Sequence, residues 1–182
     1  MDRAPRTGAG VVGGPEDADH RRADRRGEGL VTAMSVRENT TLPSLGSYST
    51  SGIISKARET VVAKEQITSL RIKTPGAESL VRNLSGGNQQ KVAIGKWLAM
   101  GPKVLILDEP TRGIDVGAKQ AVYQLIAEMV AQGLAVILVS SELPEVMHLA
   151  HRTIVMRRGR PVSSRSSETV DCTHTMRPSL RR

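Results

Sequence analysis

The chain has 182 residues, with 26 Lys+Arg against 18 Asp+Glu for a net charge of +8 and a pI near 10.2. Such a balance invites a nucleic-acid partner, but residues 27–156 carry 13 basic and 11 acidic groups while residues 157–182 carry 7 and 2, so the excess belongs to the end of the chain and the body is nearly neutral. The longest pure apolar run, Leu134–Val139, falls far short of the roughly 18 residues of a membrane span; the opening MDRAPRTGAG has no apolar stretch of the signal-peptide kind; and the lone Cys172 cannot form an internal disulfide, which fits a reducing compartment.

In chain order, residues 1–23 are rich in Gly, Ala, Asp and Arg without periodicity, and read as disordered or loop. Glu59–Leu70 is read as a helix. Thr74-Pro75 opens a predicted short helix over Gly76–Asn83, since Pro suits the first helical position. A turn is expected at Ser85-Gly86-Gly87. Asn88–Met100 follows, with Ile94, Trp97 and Leu98 on one helical face, and Gly101-Pro102 stops it. Val104–Leu107 (VLIL) has the continuous apolar character of a buried parallel strand. Asp115 is placed to cap a helix reaching about Gln132, striped by Ala118, Val122, Leu125, Ile126 and Met129. Gly133 ends it, and Leu134–Val139 (LAVILV) is a second buried strand, completing a β-α-β unit. A short helix over Pro144–Ala150, a strand over Thr153–Met156 and a turn over Arg157–Arg160 follow. The expected organisation is an unpatterned segment 1–23, a structured part 24–160 (35–100 a helical lobe, 101–160 an α/β core), and a disordered basic tail 161–182. The fold class is α/β with a parallel sheet plus a helical subdomain.

Two constellations carry chemistry. VLILDEP ends a buried strand in Asp108 and Glu109. Ligands gather at the carboxyl ends of parallel strands, and alternation puts successive side chains on opposite faces, so one carboxylate can serve a metal's water shell and the other an attacking water. This is the Walker B arrangement of phosphoryl-transfer enzymes. In LSGGNQQK (Leu84–Lys91), two glycines after Ser85 let backbone N–H groups crowd around an anion, and the following helix aims its positive end at the same place.

The ordered series LSGGNQQKVAIGKWLA (Leu84–Ala99), VLILDEPTRGIDVGAK (Val104–Lys119) and SSELPEVM (Ser140–Met147), preceded by DRRGEGLV (Asp24–Val31) and MSVREN (Met34–Asn39), resembles the ABC-transporter ATPases, a branch of the P-loop NTPases. It is most similar to the second nucleotide-binding half of the ribose/galactose/xylose-type sugar importers, over about residues 24–160. The resemblance implies a nucleotide site in which Ser85, Gly86, Gly87, Asn88 and Gln89 form the signature loop against the γ-phosphate of ATP held by an opposing nucleotide-binding domain. It implies that Asp108 organises Mg²⁺ through water, that Glu109 is the general base, that Asp115 lies at the interface between ATPase halves, and that Ser141 stands where most of the family has a phosphate-contacting histidine. The implied partners are another nucleotide-binding domain and the membrane permease subunits of a sugar importer. The implied place is cytoplasmic, peripheral at the inner face of the plasma membrane. No nucleic acid is expected, because no aromatics interleave with the tail's charges.

Some parts depart from that pattern. No G-x-x-x-x-G-K-[ST] phosphate loop occurs: Gly95-Lys96 has Gln90 and Trp97 where Gly and Ser/Thr are needed. GAGVVG (Gly8–Gly13) spells G-x-G-x-x-G, but no predicted strand precedes it. His148 and His151 are one helical turn apart with no third ligand. The ends lack the family pattern, as a frameshifted or truncated gene would produce, and the VLIL strand is expected to expose an apolar edge. Three functions compete: an ATPase component of a sugar importer, coupling ATP binding and hydrolysis to transport; a truncated binding module supplying only its signature loop; and a DNA-associated ABC-type ATPase. The resemblance implies an ATPase, but the isolated chain is expected to be inactive because the phosphate loop is absent.

Overall fold

The computed structural model describes residues 8–11, 29–50 and 52–166. The remainder of the unpatterned N-terminal segment, the tail from residue 167 and Cys172 lie outside the described residues. The chain divides into two units, Met1–Val139 and Ser140–Arg182. The first contains β1 (Gly8–Val11), α1 (Val36–Thr41), α2 (Leu45–Tyr48), β2 (Ser49–Thr50), β3 (Ile53–Ile54), α3 (Lys56–Ser69), α4 (Gly86–Leu98), β4 (Val104–Asp108), α5 (Val116–Ala131) and β5 (Ala135–Val139). The second contains α6 (Leu143–Leu149), β6 (Arg152–Arg157) and β7 (Arg160–Ser166).

The β-α-β unit forms as its pattern dictates. β4 and β5 pair in parallel, Leu105 opposite Val136 and Leu107 opposite Leu138. Leu105, Leu107 and Val122 are fully buried, and Leu125, Ile126 and Met129 of α5 are buried beside them in the sequence stripe. Each such side chain contributes roughly 1.5–3 kcal/mol relative to exposure. Asp115 caps α5, its Oδ1 accepting from the Ala118 N–H at 2.8 Å, and Gly133 ends the connection at φ +93°.

The expected open edge on β4 is not there. β1 pairs with it antiparallel, Gly8 opposite Asp108 and Val11 opposite Leu105, and the sheet order is β1-β4-β5. A strand lacking apolar alternation still offers backbone N–H and C=O groups to an edge, which is what the ladder uses. The Gly-rich word GAGVVG therefore contributes a strand, Gly8–Val11, rather than a loop after one.

The helical lobe holds a polar core. α1 opens with a capping box: the Ser35 hydroxyl accepts from the Glu38 N–H at 3.2 Å, and the Glu38 carboxylate accepts from the Ser35 N–H at 2.8 Å. Arg37, buried, donates to Glu59 Oε2 at 2.6 Å and to Glu78 Oε1 at 2.8 Å. Thr41 donates to Glu59 Oε1, also at 2.6 Å. Asn39 is fully buried, exchanging hydrogen bonds with both backbone groups of Val31 and donating to the Ser35 carbonyl. Val36, Ala63, Val81, Val92 and Ile94 of the same lobe are buried.

Two expectations for the lobe are corrected. It is not all-helical, because β2 and β3 form a small antiparallel hairpin. Gly76–Asn83 is not a helix. The carbonyls of Ala77 and Ser79 accept from the N–H groups of Arg37 and Val36, and the Val81 N–H donates to the Met34 carbonyl. Those groups are spent on the first residues of α1 and on Met34 just ahead of it, which leaves only a short 3-10 turn over Val81–Asn83. α4 also starts earlier than expected, at Gly86, with Ser85 as its N-cap residue.

In the second unit, β6 and β7 form a hairpin whose turn, Arg158-Gly159, has φ +49° and +75°, the doubly left-handed geometry of a type I′ connection. Residues 161–166, expected in the tail, are thus strand. The turn and ladder produce the pairing without an apolar pattern. No helix among the described residues is long and apolar enough to cross a membrane.

Candidate functional site

The signature turn sits where a loop meets α4. The Ser85 carbonyl accepts from the N–H groups of Asn88 and Gln89, both at 2.9 Å, which starts the helix. The N–H groups of Gly86 and Gly87, in its first turn, have no hydrogen-bond partner among the described residues. Ser85 and Gly86 are exposed. Two free N–H groups at the positive end of a 13-residue helix, next to a hydroxyl, can bind an anion.

The side chains after the glycines hold this turn in shape. Asn88 Nδ2 donates to Ser85 Oγ at 2.9 Å, while Asn88 Oδ1 accepts from the Lys73 N–H at 2.9 Å. Gln89 Nε2 donates to the Leu84 carbonyl at 3.0 Å. Lys91 donates to the Arg71 carbonyl at 3.1 Å. Burial, and then the charges of Arg71 and Lys73, push the Lys91 ammonium below its ordinary value. Farther along α4, Lys96 donates to the Gly29 carbonyl at 2.5 Å, and burial lowers its pKa too.

The second constellation begins where β4 ends. Asp108 is half-buried on the face of Val104 and Ile106, opposite Leu105 and Leu107. Glu109 departs from the expected alternation. Its φ is +51°, a left-handed conformation that is uncommon for any residue but glycine, and its N–H donates to the Val139 carbonyl at 2.8 Å. The pleat therefore ends at Asp108. The chain then turns through buried Thr111 and through Gly113, at φ +76°, into the Asp115 cap.

The two constellations meet. A Cβ placed on Gly86 would lie 3.3 Å from Ile114 Cγ2, and one on Gly87 would lie 2.6 Å from Ala118 Cβ. A cavity of about 100 Å³ beside them is lined by Leu30, Gly86, Gln89, Arg112 and Ile114 among others. Arg112, Ile114 and Ala118 are the residues that motif reading missed. Nothing near them in sequence reports contact with a turn about thirty residues away; the Gly-Gly pair, which tolerates a close neighbour, is the only local sign. Ser141 belongs to the second unit, exposed in the loop ahead of α6. His148 Nδ1 lies 2.8 Å from the Pro144 carbonyl, within α6 itself.

Residues 21–112 match the family model described as ABC transporter. The chain belongs to the ABC transporter family. The ribose import ATP-binding protein of Bacillus subtilis is 53% identical over 137 residues, covering 75% of this chain and 28% of that protein. The xylose import ATP-binding protein of Photobacterium profundum is 47% identical over 152 residues, covering 84% and 29%. A solved dimeric bacterial ABC transporter cassette is similar in structure, with a TM-score of 0.65 and 25% identity over 78% of this chain and 60% of that one. A cassette dimer in a post-hydrolysis state, bound to ADP and Pi, gives a TM-score of 0.63 at 25% identity, over 75% and 58%. The fold is that of the ABC ATPase cassettes, and the chain spans 28–31% of the length of relatives such as these.

Proposed function

We propose that this chain is part of the ATP-binding component of a sugar ABC importer, and that its role is to present the Ser85-Gly86-Gly87 turn to ATP held by a second nucleotide-binding domain. The observation carrying this reading is the turn itself: an exposed hydroxyl and two unpartnered N–H groups converge at the start of α4. A γ-phosphate there would receive the N–H groups of Gly86 and Gly87 and the proton of Ser85, with the helix's positive end adding to the attraction. The similarity to ribose and xylose import proteins supports a sugar as the transported class. The dimeric cassettes of the same fold support a paired arrangement.

The remaining roles follow from residue chemistry. Asp108 offers one hard oxygen donor group, which suits Mg²⁺, an ion that keeps several of its waters. When bound with ATP, that ion supplies charge neutralisation on the phosphates. Glu109 is the candidate base for the attacking water. Asp115, capping α5 beside the signature turn, is the candidate contact with the opposing domain. Asn88 and Gln89 act by holding the turn, and Ser141 remains a candidate polar contact from the second unit. Membrane permease subunits at the inner face of the plasma membrane are the further partners of this reading. The sequence holds no G-x-x-x-x-G-K-[ST] phosphate loop, so in this scheme the ATP that meets Ser85-Gly86-Gly87 is cradled by the opposing domain with that domain's own catalytic glutamate, and Asp108 and Glu109 are candidates only for an ATP on this chain's own side.

Sedimentation velocity tests this. The purified chain is mixed with an ABC cassette carrying its own phosphate loop, its catalytic glutamate replaced by Gln so that ATP persists. A complex is expected with MgATP and not with MgADP, and Ser85→Glu, which sets a carboxylate against the phosphate, abolishes it. Equal association with either nucleotide overturns the reading.

A further inference from the structure

We propose that Asn88 is a positioning residue that commits the Ser85 hydroxyl to donate outward, toward phosphate. The Lys73 backbone N–H, which can only donate, faces one amide atom of Asn88 at 2.9 Å, so that atom is the oxygen. The other amide atom, 2.9 Å from Ser85 Oγ, is then the NH₂ group, which can only donate. Ser85 Oγ is the acceptor in this contact, and its own proton must go elsewhere. Among the described residues Ser85 Oγ has no hydrogen bond besides the one it accepts from Asn88, and its lone pairs are not drawn into a cap on α4. Ser85 is exposed, so the proton is available to an incoming oxygen. Accepting one hydrogen bond also strengthens a hydroxyl as donor of the next. The Lys73 loop thus sets the amide, the amide sets the hydroxyl, and the hydroxyl meets the anion already oriented.

This inference rests on the reading of Ser85 as a phosphate contact, and its test separates the two. The readout is the ratio of the chain's affinity for the MgATP-loaded cassette to its affinity for the same cassette with MgADP. Asn88→Ala and Ser85→Ala should each lower that ratio by about tenfold, the order of one hydrogen bond to a charged group. The double variant should lower it no further than Ser85→Ala alone. Asn88→Asp keeps the shape and the Lys73 bond but can only accept from Ser85, which turns the proton inward, so it should lower the ratio at least as far as Asn88→Ala. If Asn88→Ala leaves the ratio unchanged, weakens both nucleotide states alike, or adds fully to Ser85→Ala, Asn88 is merely structural and the inference is overturned. A wild-type chain without ATP-over-ADP preference overturns the site reading, and the inference with it.

Discussion

A Cβ on Gly87 would stand 2.6 Å from the Ala118 Cβ, closer than two carbon atoms approach without displacement. The signature turn therefore rests directly on the first turn of α5, just beyond the Asp115 cap. Gly87→Ala forces α4 and α5 apart. The expected cost is about 1–3 kcal/mol, measured by denaturant unfolding, together with loss of ATP-dependent association. Adding Ala118→Gly reopens the space and should restore part of the stability, less the roughly 1 kcal/mol that glycine costs in a helix. Equal stability of Gly87→Ala and wild type would show that the approach is not close.

The buried pair Arg37–Glu59, 2.6 Å apart, ties α1 to α3. Glu59→Ala leaves a buried guanidinium short of one carboxylate, although Glu78 remains, and takes from the Thr41 hydroxyl the nearer of its two acceptors, leaving the Arg37 carbonyl. The expected loss is about 3 kcal/mol, the lower end for breaking a buried pair. A midpoint shift worth under about 1 kcal/mol would mean that the network is solvated.

The capping box predicts a pH dependence. The Ser35 backbone N–H, and then its hydroxyl, donate to the Glu38 carboxylate and hold its pKa below the ordinary 4.5. A depressed carboxylate adds stability above its unfolded-state value, which is lost as pH falls through the folded one. Glu38 is nearly half exposed, so its contribution is at most about 1 kcal/mol. Glu38→Gln should be less stable than wild type by that order at pH 7, and the gap should close below pH 4.5. A gap independent of pH contradicts the assignment.

Glu109 sits at φ +51°, where asparagine is tolerated and β-branched residues are strained. Both Glu109→Asn and Glu109→Val remove the carboxylate, so their difference isolates the backbone. Glu109→Val is expected to be the less stable by about 1–2 kcal/mol in thermal unfolding. Equal stabilities would place the residue in ordinary extended backbone.

The parallel pair β4–β5 and the α5 connection were legible because VLIL, the stripe from Ala118 to Met129 and LAVILV each carry a local periodicity that burial then rewards, whereas β1, which has no such pattern, was not. The α1 network was not legible, since nothing local to Arg37, Asn39 and Thr41 reports that Glu59 and Val31 close on them from a distance. Gly76–Asn83 misled for a related reason: its proline start is helical, but its carbonyls go to Val36 and Arg37. At the site, the motifs named Ser85 to Gln89, Asp108, Glu109 and Asp115. Only the fold shows that Asn88 reaches Lys73 and that Gly87 rests on Ala118, since both are contacts between segments distant in sequence.

The central claim is that this chain's signature turn completes an ATP site on another domain. The most direct measurement is phosphate release by an ABC cassette with an intact phosphate loop and intact catalytic glutamate, titrated with the purified chain. A saturable rise in turnover, removed by Ser85→Ala, is predicted. No rise, or a rise that Ser85→Ala leaves intact, would contradict the account.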